Sequence, residues 1–107
     1  MASDTELGLP GVVVQEVLSG VKTDAQFAEL HHRLVSAFTI VHAVTDHYVD
    51  AAPLKNTCLR KGVNVSGPDC LIATLAMAHK AELVALDDDF TSIAKHSTLR
   101  LRPLGAG

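Results

Sequence analysis

Acidic side chains occur in this chain at positions that predict a helix start and a strand end. Asp69 follows Ser66-Gly67-Pro68 and falls in the first turn of a predicted helix, and Asp87-Asp88-Asp89 follows a predicted strand. If these elements pair in one fold, the acids converge at the carboxyl edge of a sheet. Carboxylates gathered there, with no basic residue beside them in sequence, suit a divalent cation. Such a cation typically serves phosphodiester chemistry.

Helix capping is the structural explanation of these acids. The helix dipole would stabilise Asp69, but Ser66 already supplies a good N-cap, so the carboxylate is redundant for capping and available as a ligand. The run of three aspartates would be one N-cap with two solvated neighbours. With Phe90 in the core, Asp87 is the best candidate to face the crevice and Asp89 the next best.

A further acid, Glu16, borders the apolar face of a short predicted helix that carries Val14, Val17 and Leu18. A glutamate buried on such a face needs a partner, and a metal ion is one such partner. Exposure at the edge of the helix is the equal alternative. The residue alone does not decide between them.

The chemistry expected of such a cluster follows from its charge. Carboxylates a few ångströms apart raise one another's pKa. One or two Mg²⁺ or Mn²⁺ ions would restore the balance, activate a water and stabilise charge on phosphate oxygens. The chain offers no arrangement of serine, cysteine or histidine with a plausible base, and it has no glycine-rich phosphate-binding fingerprint.

Length and composition predict one globular domain over residues 1–107. The chain is 48% hydrophobic and 20% charged, without an apolar run long enough to span a membrane or a secretory leader. We therefore expect a cytoplasmic protein. Its net charge is −3, so RNA would have to be held by local cations. Arg60 and Lys61, or Arg100 with Arg102, are the candidates, and solvated surface charge is their structural explanation.

Cys58 and Cys70 lie on different predicted helices. A disulfide between them is one alternative. Two reduced, semi-buried thiols are favoured, because cytosolic disulfides are rare. Neither cysteine has the close Cys or His spacing of a zinc site.

Hydrophobic patterning predicts helices separated by short strands. Residues 1–10 read as a loose lead-in, with a turn at Leu9-Pro10-Gly11, and residues 103–107 as a tail. Pro53 should kink or split its helix. Strands joined by helical crossovers imply a parallel sheet with helices on both faces, an α/β fold. We predict helices near 12–18, 24–36, 45–61, 67–80 and 90–96, and strands near 38–42, 82–86 and 99–101.

At these residues the chain resembles the PIN-domain nucleases, in particular the VapC-like toxin ribonucleases of VapBC toxin–antitoxin pairs. The matching segments are residues 14–20, residues 60–62 leading to 66–73, and residues 83–90. They occur in the family's order and span most of residues 12–101. The middle motif is quite specific, and the three together are a strong resemblance.

The resemblance implies a three-layer α/β/α fold with a small parallel sheet and an endoribonuclease that depends on Mg²⁺ or Mn²⁺. It also implies an RNA substrate and a VapB-like antitoxin as partner. The family's second, third and fourth acids fall on Glu16, Asp69 and Asp87, as catalytic residues and metal ligands. Asp89 often contributes a further ligand, and Ser66 lies where it would position a phosphate or water.

The resemblance departs from the family at the N-terminus. PIN domains begin with a hydrophobic strand that ends in an aspartate, whereas the fifteen residues before Glu16 predict no such strand. That strand is central in the family's sheet, and its loss would expose unpaired backbone. We expect the chain to rearrange or to form a homodimer, including a domain-swapped one. Its metal site would then be impaired.

Two other functions stay open at this point. One is a catalytically inactive PIN remnant that acts as a homo-oligomer or as an antitoxin-binding module. The other is a small α/β domain of another kind, in which the acids serve only as helix caps.

Overall fold

The computed structural model describes residues 8–84 and 88–102, and its contacts divide the chain into two units, residues 1–42 and 43–107. Each unit contains helices and a small parallel sheet, which confirms the predicted α/β class. None of the helices described is both long and apolar enough to cross a membrane. The single domain over residues 1–107 stays a prediction.

The first unit pairs strand β1 (Gly8–Pro10) in parallel with strand β2 (Thr39–Val41), with Leu9 opposite Ile40. The turn predicted at Leu9-Pro10-Gly11 is therefore wrong, and so is the loose lead-in for its last three residues, 8–10, because they form this paired strand. Proline and glycine are turn-formers, but Pro10 is the last residue of a strand in a two-stranded sheet, where its missing N–H is tolerated. Its extended backbone also makes it the N-cap of the following helix.

Two helices lie between these strands. The valine-rich segment forms helix α1 (Gly11–Ser19), as predicted. Helix α2 (Asp24–Ala37) begins after Thr23, whose hydroxyl accepts a hydrogen bond from the Gln26 N–H at 3.1 Å. Threonine is one of the residues that favour this N-cap position. None of the described residues of this unit is fully buried.

The second unit begins with helix α3 (Thr45–Arg60), which contains Pro53 and continues through it. The helix is thus not split at this proline, and the other predicted effect, a kink, stays a prediction. A proline removes one N–H donor from the helix ladder, and here α3 packs along helix α4 (Gly67–Ala78), which stabilises both. Strand β3 (Glu82–Val84), helix α5 (Asp88–Ala94) and strand β4 (Arg100–Arg102) complete the unit.

Helix α4 is at the centre of this unit, where it contacts α3, α5 and β3. Its sequence is rich in apolar residues, and five of its residues are buried. All the fully buried residues among those described lie in this unit: Ala51, Cys58, Val65, Cys70, Ile72, Ala73, Thr74, Leu75, Phe90, Ile93 and Leu99.

The described strands form two separate two-stranded sheets, β1 with β2 and β3 with β4, both parallel. Parallel pairing was predicted, and a single sheet was expected. The predicted strand near 82–86 is exposed at Glu82 and Val84, which lie on one face of β3, whereas Leu83 on the other face is half-buried. Residues 85 and 86 lie outside the described part.

Replacing Ile93 tests where the core lies. Its side chain is fully buried on α5, so Ile93→Ala should lower the free energy of unfolding by about 2–5 kcal/mol. The matched substitution Val35→Ala removes methyl groups from an exposed side chain on α2 and should change the free energy of unfolding by about 0.5 kcal/mol or less. Urea denaturation followed by circular dichroism measures both. Equal effects of the two would contradict this assignment of the core.

Candidate metal centre

Ser66 connects the first turns of two helices in the second unit. It is the N-cap of α4, and its hydroxyl accepts a hydrogen bond from the Asp69 N–H at 3.1 Å. Its own N–H donates to Asp89 Oδ2 on α5 at 3.3 Å. One serine is therefore hydrogen-bonded to the backbone of Asp69 and to the carboxylate of Asp89, two of the predicted acidic residues, which are far apart in sequence.

The aspartate run after β3 is divided by the packing of α5. Phe90 is buried, as predicted, and anchors the start of the helix. Asp89 is half-buried and contacts Ser66, whereas Asp88 is exposed. Asp87, the first choice from the sequence, lies outside the described residues, so its role as a ligand stays a prediction.

Lys55 is a neighbour of this cluster that the sequence analysis did not identify. It is half-buried on α3, and its Nζ donates a hydrogen bond to the carbonyl oxygen of Val65, the residue before Ser66. A signal for it is present in the sequence. Ala51, Lys55 and Cys58 have the i, i+4, i+7 spacing of one helix face, and the first and last of them are buried.

The two cysteines lie beneath the acidic cluster and are both free and buried, as favoured from the sequence. Burial raises the pKa of the Cys70 thiol, and the neighbouring Cys58, Asp69 and Asp89 raise this pKa further, while Lys55 lowers it. The lysine and both aspartates therefore lie within electrostatic range of the same thiol.

The remaining predicted site residues are on the surface. Glu16 is exposed on α1 in the first unit, in agreement with the alternative of edge exposure. Arg60 ends α3 and donates to Thr57 Oγ1 at 3.1 Å, and Lys61 is exposed beside it. That Glu16 shares a site with the aspartates, and that the two cations bind RNA, stay predictions.

Two other candidate RNA-binding cations have structural partners at the small sheet of the second unit. Arg100 donates to the carbonyl of Lys80 at 2.7 Å. Arg102 forms an ion pair with Glu82 at 3.0 Å, diagonally across the β3–β4 pairing, in which Glu82 is opposite Arg100. These contacts connect β4 to β3 and to Lys80, two residues before β3, so both arginines have a role in the fold.

The donor set at Ser66 fits a hard divalent cation in part. The residues described contain no group of three or more side chains of the types that hold a metal ion. The Asp69 backbone N–H and the Asp89 carboxylate are nevertheless both hydrogen-bonded to Ser66, and Mg²⁺ is commonly held by one or two carboxylates together with waters and phosphate oxygens. Asp69 and Asp89 are thus the described residues that would hold such an ion.

The family model of the PIN domain matches residues 1–96, and the chain belongs to this family. Proteins of the family are nucleases that generally depend on divalent metal ions. Among solved structures, the fold is similar to a chain in the crystal structure of VapBC2 from Rickettsia felis bound to a DNA fragment from their promoter. The TM-score is 0.76 at 22% sequence identity, over 92% of this chain and 74% of that chain. The expected PIN-like fold is confirmed.

A Ser66→Ala substitution tests the cap that carries the cluster. It removes the acceptor of the Asp69 N–H and should lower the free energy of unfolding by about 1 kcal/mol. Ser36→Ala, at an exposed position inside α2, is the matched control and should be close to neutral. Thermal and urea denaturation measure both variants. A Ser66→Ala protein as stable as the control would contradict the cap.

Proposed function

We propose that this PIN domain is an endoribonuclease that depends on Mg²⁺ or Mn²⁺. The observation that carries the proposal is the pair of hydrogen bonds by which Ser66 contacts the Asp69 backbone N–H and the Asp89 carboxylate, so that the two acidic residues lie beside the same serine. Membership of the PIN family supports it independently. Glu16 and Asp87 complete the proposed set of ligands, and Glu16, Asp69 and Asp87 are the proposed catalytic residues.

The chain's own groups have distinct parts in this proposal. Asp69 and Asp89 supply the oxygen ligands, and Asp87 and Glu16 the further carboxylates. The Ser66 hydroxyl, which lies at the start of α4 beside the Asp69 N–H, would orient a phosphate oxygen or a water. The bound ion would supply an activated water and charge stabilisation on the scissile phosphate. Arg60 and Lys61, exposed at the end of α3, would bind the flanking phosphates of RNA.

The site we propose is a weak one. Three of the family's four acids match residues of this chain, and a site with fewer carboxylates has a lower affinity for a divalent cation. Its activity would accordingly be impaired. The protein would act in the cytoplasm, with a VapB-like antitoxin as partner, by analogy with the VapBC2 complex whose fold it shares.

Aspartate-to-asparagine substitutions test the nuclease function. Asp69→Asn, Asp87→Asn and Asp89→Asn each remove a ligand charge and should weaken Mn²⁺ binding by about tenfold or more, with a matching loss of RNA cleavage. Asp88→Asn changes the exposed neighbour and is the charge-matched control. Calorimetric titration with Mn²⁺ and cleavage of a labelled RNA measure the effects. Cleavage that survives both Asp69→Asn and Asp87→Asn would exclude this site.

A second candidate function is association without catalysis, as a homodimer or an antitoxin-binding module. The observation that favours it is an apolar patch at the start of α3. Val44, Tyr48 and Val49 are 56%, 59% and 61% exposed, and they lie close together at the i, i+4, i+5 positions. Apolar side chains that cluster on a surface commonly mark an interface.

Light scattering tests this association. If the patch forms a homodimer interface, the protein should have the mass of a dimer, and Tyr48→Ser with Val49→Ser should shift it towards the monomer, because burial of these side chains drives association. Val35→Ser, at a comparably exposed valine on α2, should leave the mass unchanged. A monomer at every concentration would contradict the homodimer.

A further inference from the structure

The peptide group between Val65 and Ser66 lies between a cation and a carboxylate. Its carbonyl oxygen accepts a hydrogen bond from Lys55 Nζ at 2.5 Å, and its N–H donates to Asp89 Oδ2 at 3.3 Å. The peptide is trans, so its C=O and N–H point in opposite directions. The ammonium and the carboxylate therefore interact through one peptide, from its two sides.

The surroundings of Lys55 give this contact its strength. The residue is half-buried on the face of α3 that also carries the buried Ala51 and Cys58. An ammonium group that has lost part of its hydration needs an acceptor, and the Val65 carbonyl supplies one. Hydrogen bonds to ionised groups are stronger than neutral ones, and bonds linked through one peptide polarise each other.

Resting on the metal site proposed above, we propose that Lys55 is a positioning residue of that site. Through the Val65–Ser66 peptide it fixes the Ser66 N–H against Asp89, and it thereby holds the Asp89 carboxylate beside the first turn of α4, where Asp69 lies. It does not touch the substrate or the ion. Its effect is on the geometry of the ligands.

A competing role for Lys55 makes the opposite prediction. If it acted only as a positive charge that repels the cation, its removal would raise Mn²⁺ affinity, by about two- to threefold across a peptide group near the surface. Loss of an outer residue that orients a ligand lowers metal affinity by about 10- to 100-fold. The positioning effect is the larger of the two, so removal of Lys55 should weaken binding.

The experiment uses the full chain and three variants, Lys55→Met, Lys55→Arg and the control Lys95→Met, which removes an exposed lysine just after α5. Calorimetry measures Mn²⁺ binding, and amide hydrogen exchange of Ser66, followed by NMR, is measured on the metal-free protein. Lys55→Met should bind Mn²⁺ about tenfold more weakly or worse and should exchange the Ser66 amide several-fold faster. Lys55→Arg, which retains a charged donor, should preserve both properties, and Lys95→Met should match the parent protein.

The exchange measurement separates this inference from the proposed function. A parent protein that binds no Mn²⁺ would overturn the metal site, and Ser66 exchange would still decide the contact on its own. Unchanged exchange in Lys55→Met would overturn the role of Lys55, as would unchanged or tighter Mn²⁺ binding. If Lys55→Met does not fold, Lys55→Gln, which keeps a neutral donor, replaces it with the same expected directions.

Discussion

The Val65–Ser66 peptide is the constraint on which the acidic cluster depends. Val65 is almost fully buried and Ser66 is exposed, so the chain passes from core to surface within one residue. At that point the Val65 carbonyl accepts a hydrogen bond from Lys55 Nζ, and the Ser66 N–H donates one to Asp89. The Ser66 hydroxyl accepts a third from the Asp69 N–H. Three elements, α3, α4 and α5, are thereby tied to one short segment.

Hydrophobic packing holds the backbone on either side of this segment in place. Helix α4 contacts α3, α5 and β3, and its buried face includes Cys70, immediately after Asp69. On α5, Phe90 is buried immediately after Asp89. Each of the two aspartates is thus followed in the chain by a residue that is packed in the core. A rigid backbone beneath a ligand is what a metal site requires, because ligand geometry depends on the groups that support it.

The same arrangement would reconcile an acidic chain with the RNA binding proposed for it. The protein has a net charge of −3, and Arg100 and Arg102 are already bonded within the β3–β4 region. General attraction for nucleic acid is therefore weak. A cation held by the aspartates, with Arg60 and Lys61 at the end of α3, would supply positive charge where a phosphate is to be bound. Such a site would bind RNA phosphates only near the aspartates, and with modest affinity.

Much of this structure was determined by the sequence itself, because the relevant signals are local. The Thr23 and Ser66 caps, the helix over the valines of α1 and the burial of Phe90 all depend on residues close together in the chain. Each of the short motifs that resemble the PIN family is likewise local, although together they span most of the chain. Other features depended on contacts between distant residues. The pairing of Gly8–Pro10 with β2, the continuity of α3 through Pro53 and the exposure of β3 follow from which elements pack together, and local patterns do not encode this. The contact of Asp89 with Ser66, and the place of Lys55 behind that serine, were likewise decided only by the tertiary structure, since a hydrogen bond between side chain and backbone requires two segments to meet at about 3 Å.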